Sequence, residues 1–408
     1  MNQILKVAVI VGLWSGAVAQ APKGLSLQQL YERHRWFELR DAIAGRAVPA
    51  LYAGAVASAF NRSRDAEDLL KRAVREASSP EAANDAREAL MNLYMRLGRS
   101  SDMIHALDDA IATAPSRSDF LNIRQAFEPF RRLPNQSARP GQPQRFRCDV
   151  SAQGVVLPAV VNGKAVQWLF DSAFSHTAMS ESEARMLGIS VQGASAAAGD
   201  FAGGTAPMRT AVAERVAIGD AELRNVPVLV FSDSQPPWNE QPPGKRGTIG
   251  LPVISALAAI RWEKDGACQL GSNPSRTARP DSNLAFDGAG LLIRVQYSDR
   301  PLEFVLDTGN QGGTQLWVRF ARDFPDVVRA GRKSTKQVHQ IGGSTEQQIV
   351  AIQELRLRVG GWGGVLRPAN VFSPPIGNEL QHGNLGLDVL SQASEVTIDF
   401  QTMSVTVR

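Results

Sequence analysis

The sequence predicts a multidomain chain, an α-helical hairpin array followed by an all-β region. Three observations predict it. In residues 25–133 apolar side chains recur at helical spacing, as at Tyr94, Leu97, Met103, Ile104, Leu107 and Ile111. Beyond a Pro-rich stretch the period drops to that of strands. The β-type part is also written twice, because landmarks in residues 145–270 return 136 positions later in residues 284–408.

Composition sets the outer bounds. A chain of 408 residues suits two to four domains, at roughly 100–200 residues each. With 43% hydrophobic and 21% charged residues it has the make-up of an ordinary globular protein. The net charge of +4 is a thin excess of 44 basic over 40 acidic residues, which is no nucleic-acid-binding footprint. Two cysteines exclude a disulfide-dense scaffold and a cysteine-rich zinc module.

Residues 1–19 read as a secretory signal peptide. Lys6 precedes an apolar run from Val7 to Leu13, and Ala17-Val18-Ala19 forms a small-residue cleavage site before Gln20. The alternative is an uncleaved anchor, although the apolar run is shorter than the ~20 residues of a membrane span. Cleavage implies an exported chain, periplasmic or secreted, in a space where disulfides persist. No stable membrane span is expected in the mature chain.

In residues 25–133 the segments Phe60–Pro80 and Tyr94–Pro115 share a pattern: an aromatic, a polar turn, an amphipathic helix and a closing proline. A third unit fits around Tyr31–Pro49. The period of 34 to 35 residues resembles the tetratricopeptide repeat. Such an array is either a surface for a protein partner or for self-association, or a plain packing domain. A polar, Pro-rich linker follows at 134–144, and a second at 271–283 separates the two β segments.

In the first segment Asn162-Gly163 marks a hairpin that leads into the apolar strand ending in Leu169-Phe170-Asp171-Ser172-Ala173. In the second, Phe304-Val305-Leu306 runs into Asp307-Thr308-Gly309. Thr248-Ile249-Gly250-Leu251 is matched by Asn384-Leu385-Gly386-Leu387, and Ala259-Ile260-Arg261-Trp262 by Glu395-Val396-Thr397-Ile398. All three pairs share the 136-residue offset.

An apolar strand ending in Asp-(Ser/Thr)-(Gly/Ala), followed ~80 residues later by apolar-Gly-apolar, resembles the aspartic proteases. More narrowly it resembles retropepsin-like lobes, two of them fused in one chain over about residues 146–408. The resemblance implies a bilobal, β-barrel-like fold of two pseudo-symmetric lobes with Asp171 and Asp307 together at their interface. It implies that the Ser172 and Thr308 hydroxyls bond across to the other lobe and that Gly309 leaves room beside a carboxylate. Ala173 departs from the pattern where glycine is usual, and its Cβ puts the placement of Asp171 in question. Two carboxyls sharing one proton can supply both the base for water and the acid for the amide nitrogen. The reading of the residues without the resemblance is a pair of turn-forming aspartates at strand ends.

Each lobe is also expected to carry a flap. Gly203-Gly204 and Gly342-Gly343 lie in Gly-rich turns between the Asp motif and the Gly-Leu strand, and an ordinary hairpin turn is the alternative for each. The insertion Pro236–Pro243 either lines the cleft edge or is a surface connector. Cys148 and Cys268 lie near the ends of the first lobe, as a disulfide or as two buried thiols. His34, His105, His176, His339 and His382 show no HExxH spacing, so neither a metal nor another cofactor is implied. Ser172 and Ser175 lack a Gly-x-Ser-x-Gly elbow, which disfavours a serine hydrolase. The leading expectation is an exported aspartic endopeptidase acting on peptides or proteins. The second is an inactive peptide-binding or scaffolding protein that uses the cleft and the helical array.

Overall fold

A computed structural model of the chain describes residues 25–408 except 116, 152–153, 200–203, 272–281, 311, 341–342 and 376. The expected signal peptide and most of the second linker lie outside the described residues.

Helices fill the first part: α1 (Leu27–Glu32), α2 (Trp36–Ile43), α3 (Ala50–Ala59), α4 (Ser63–Glu76), α5 (Pro80–Arg96), α6 (Ser100–Thr113) and α7 (Ser118–Phe127). Their starts follow local chemistry. Ser26 and Gln29 form a reciprocal capping box on α1. Ser79 caps α5, with Pro80 in its first turn. Three of the turns are built alike. His34, Asn61 and Gly98 take positive φ, and the N–H of the next residue, Arg35, Arg62 or Arg99, bonds back to the carbonyl of Leu30, Ala57 or Tyr94. This is the left-handed helix stop that turns one helix into an antiparallel neighbour. The turns fall 27 and 37 residues apart, at 34, 61 and 98, so they do not follow one fixed 34–35-residue period. No helix among the described residues is long and apolar enough to cross a membrane.

The apolar faces of these helices are covered by the β region. Leu30, Trp36, Phe37 and Val56 from α1–α3 form one cluster with Ala285, Leu292, Val305 and Trp317 of the second half. Leu90, Leu107, Phe120 and Phe127 form another with Met208, Leu229, Phe231 and Trp238 of the first. Polar bonds reinforce the seam to the second half. Asp287 accepts from Trp36 and Gln381 and faces His34 at 2.6 Å. Asn61 donates to the Phe400 carbonyl, and the buried Arg96 guanidinium lies 3.9 Å from the centre of the Phe286 ring. The Pro-rich stretch after the helices is tied down as well. Ser137–Arg139 pairs with Ala221–Phe231, and Gln136 donates to the Pro252 carbonyl.

Among the described residues three sheets make up the β region. Alternation in Lys164–Phe170 buries Val166, Trp168 and Phe170 on one face. Asn162 and Gly163, both at positive φ, turn the chain into this strand from Gly154–Val161, as the sequence predicts. On its other edge Lys164–Phe170 pairs in parallel with Gly247–Ile249, which pairs antiparallel with Thr177–Ser180. In the second half Arg300–Leu306 pairs antiparallel with Gly290–Tyr297 and in parallel with Gly383–Leu385. The registers correspond: Leu169 faces Thr248, and Val305 faces Asn384, both partners lying 136 positions on from their counterparts in the first half. A five-stranded sheet joins the halves, in the order Gln144–Arg147, Ala267–Leu270, Ala259–Glu263, Glu395–Asp399, Ser404–Val407. At its centre Arg261 faces Thr397, its own counterpart at the 136-residue offset.

Candidate active site

Asp171 and Asp307 each follow the last residue of a buried strand. Each is held by the strand that pairs in parallel beside it: Asp171 N–H donates to Ile249 O and Asp307 N–H to Leu385 O, both at 3.0 Å. The next residues lock the two loops together. Ser172 N–H donates to Thr308 Oγ1 at 3.0 Å, and Thr308 N–H donates to Ser172 Oγ at 3.2 Å. The hydroxyls reach further, Ser172 Oγ to Leu306 O at 2.7 Å and Thr308 Oγ1 to Phe170 O at 2.8 Å. Both side chains are fully buried, so these bonds satisfy groups that water cannot reach.

This lock brings the two carboxyls into hydrogen-bond contact, half-buried between the loops. Each also takes a backbone N–H from two residues on: Ala173 to Asp171 Oδ1 at 2.9 Å, and Gly309 to Asp307 Oδ1 at 3.1 Å. A Cβ at Gly309 would stand 2.3 Å from Cγ and Oδ2 of Asp171, so glycine is required there by space. Ala173 supplies the same backbone bond as Gly309, with its methyl beside the cluster that includes Val305 and Trp317. Its Cβ therefore leaves Asp171 in place. Gly250 is also fixed by space, since a Cβ there would lie 2.0 Å from the His176 carbonyl oxygen.

Burial, and then repulsion by the neighbouring carboxylate, hold Asp171 well above the usual carboxylate range. Burial raises Asp307 too, but bonds from Asn384, Gly309 and Asp171 pull it back. The pair thus favours one shared proton. Asn384 donates from Nδ2 to Asp307 Oδ2 at 2.7 Å, a contact that motif reading missed. The only hint in the sequence is a polar Asn opening the otherwise apolar run Asn384-Leu385-Gly386-Leu387.

Phe174 packs edge-on against Phe231 and Trp238, so the insertion that carries Trp238 packs beside the Asp171 loop. Gly204 and Gly343 border hairpin tips, formed by Val191–Gly199 with Thr205–Ile218 and by Arg332–Gln340 with Gly343–Ile352. Gly203 and Gly342 lie outside the described residues. Lys336 of the second hairpin donates to Gly312 O at 2.6 Å, in the loop that follows Asp307. Cys148 and Cys268 form a disulfide with Cα atoms 5.9 Å apart, closing 120 residues of sequence.

Comparison with curated proteins gives no match. Solved structures that align with this chain include a retropepsin-like aspartic protease from Rickettsia conorii, at 14% identity and a TM-score of 0.23, covering 32% of this chain and 94% of that one. Conglutin gamma, a basic 7S globulin from lupine seeds, aligns at 8% identity with a TM-score of 0.36, covering 66% of this chain and 95% of that one. The basic 7S globulin from soybean aligns at 12% identity with the same TM-score, covering 66% and 96%. Residues 157–253, the stretch that holds Asp171 and Gly250, match the family model described as aspartyl protease.

Proposed function

We propose that the protein is an exported aspartic-type endopeptidase made of two pseudo-symmetric lobes, with Asp171 and Asp307 acting as a pair on a peptide bound between them. The observation that carries the reading is the reciprocal Ser172–Thr308 lock, which holds two carboxyls in contact at the ends of equivalent strands. The match of residues 157–253 to the aspartyl protease family supports it. In this reading a water between the carboxyls attacks the peptide carbonyl carbon. The ionised carboxylate takes a proton from the water, and the protonated one gives its proton to the carbonyl oxygen. When the tetrahedral intermediate collapses, the C–N bond breaks and the leaving nitrogen takes a proton back from the pair. The helical hairpins serve here as a packing layer for both lobes rather than as a separate partner-binding array.

The test is cleavage of a mixed peptide library by the full chain from about pH 3 to 7, with and without a pepstatin-type inhibitor, against Asp307→Asn and Asp171→Asn. Cleavage by the wild type that either substitution reduces by on the order of 10³-fold supports the pair. Equal and absent cleavage in all three proteins sinks the enzyme reading and leaves a peptide-binding protein.

A further inference from the structure

The backbone treats the two carboxyls alike. Each takes an N–H from two residues on, and each sits at the same place on an equivalent strand. Side chains break the match. In the first half the position beside Asp171 is Thr248, and in the second it is Asn384, at the same register on the parallel strand. Asn384 reaches Asp307 Oδ2 at 2.7 Å, whereas among the described residues Thr248 makes no bond to Asp171. A threonine hydroxyl sits one bond nearer the backbone than an asparagine amide nitrogen, so it lacks the reach.

As placed, the amide presents its N–H rather than its oxygen to Asp307. Turned over, its oxygen would oppose a carboxylate oxygen, with no proton between them when Asp307 is ionised. Asn384 is 5% exposed, and its Oδ1 has no donor among the described residues. In such a place an aliphatic side chain would cost less than a half-satisfied amide. The one polar bond this amide makes is to Asp307.

We infer that Asn384 is a positioning residue that makes the two carboxyls inequivalent, assigning the negative charge to Asp307 and the proton to Asp171. The inference rests on the carboxyl-pair reading given above. Its consequence is directional catalysis. The water is deprotonated from the Asp307 side, and the substrate carbonyl is protonated from the Asp171 side.

The experiment uses the full chain with ¹³C-labelled aspartate carboxyls, assigned through Asp171→Asn and Asp307→Asn and titrated by NMR beside the pH profile of peptide cleavage. Asn384→Leu removes the amide, and Asn384→Thr installs the residue that the first half already accommodates. The expected result is that the Asp307 titration moves up by about one pH unit in both variants, and that the acid limb of kcat/KM moves up with it. Thr248→Val should leave the Asp307 titration where it is. An unmoved Asp307 titration in the folded variants, whatever the activity, overturns the inference. If the wild type cleaves no peptide, the NMR arm still decides the role of Asn384, and only the peptidase reading falls.

Discussion

A Cβ at position 309 would stand 2.3 Å from two atoms of the Asp171 side chain, whereas the methyl of Ala173 rests beside an apolar cluster. The two loops therefore tolerate substitution differently. Gly309→Ala should displace the Asp171 carboxyl and lower kcat/KM by on the order of 10²-fold, while Ala173→Gly should keep activity within a few-fold. Steady-state kinetics on the two variants checks this, and equal losses would contradict it. The Asp-Ser-Ala and Asp-Thr-Gly triplets were legible because each ends an apolar run and each recurs at one offset. The apolar setting of the Ala173 methyl was not legible, since it depends on which way its Cβ points. Asn384 was overlooked for a related reason, because one side chain bonding across to another strand leaves no periodic trace.

The two Gly-rich turns end hairpins of unequal support. Val191–Gly199 and Thr205–Ile218 contribute Ala196, Ala197, Ala206 and Met208 to the cluster that holds Phe120 and Phe127 of α7. In the other hairpin Val338 and Ile349 form a small cluster with Phe372 of the adjoining strand, and only the base of the hairpin, at Val350 and Ile352, reaches the main core. Hydrogen exchange should therefore show earlier opening across 332–352 than across 191–218. The opposite order would mean that α7 does not brace the first hairpin. Both turns were visible as Gly-rich segments between the Asp motif and the Gly-Leu strand. Their unequal bracing was not, because it depends on how the helices dock, and helical periodicity gives a buried face without its partner. The Pro-rich stretch at 134–144 has a feature of the same kind. Its composition is that of a tether, yet Ser137–Arg139 finds an edge strand to pair with.

At the scale of the whole molecule the helical layer meets each half at a histidine, and the two titrate in opposite senses. Burial lowers His176, packed 5.1 Å from the Phe127 ring, to about 4. Burial would also lower His34, but the Asp287 carboxylate outweighs it and holds the ring above its ordinary value. His176 therefore stabilises the fold fully above about pH 6.5 and loses about 3 kcal/mol as pH falls through 4. The contribution of His34 is complete below about pH 6.5 and fades as pH rises through its raised value. Thermal unfolding across pH should lose its acid limb in part with His176→Phe and its alkaline limb in part with His34→Gln. Unchanged limbs would show that neither seam titrates. The same layer has a consequence for how the chain is made. His34 and Asp287 are 253 residues apart, and Asn61 and Phe400 are 339 apart. The helices leave the ribosome with apolar faces whose covers lie in strands made later, one contact reaching 339 residues further along the chain. The helical layer is thus made before the strands that complete it, and until they arrive its nascent state exposes apolar surface.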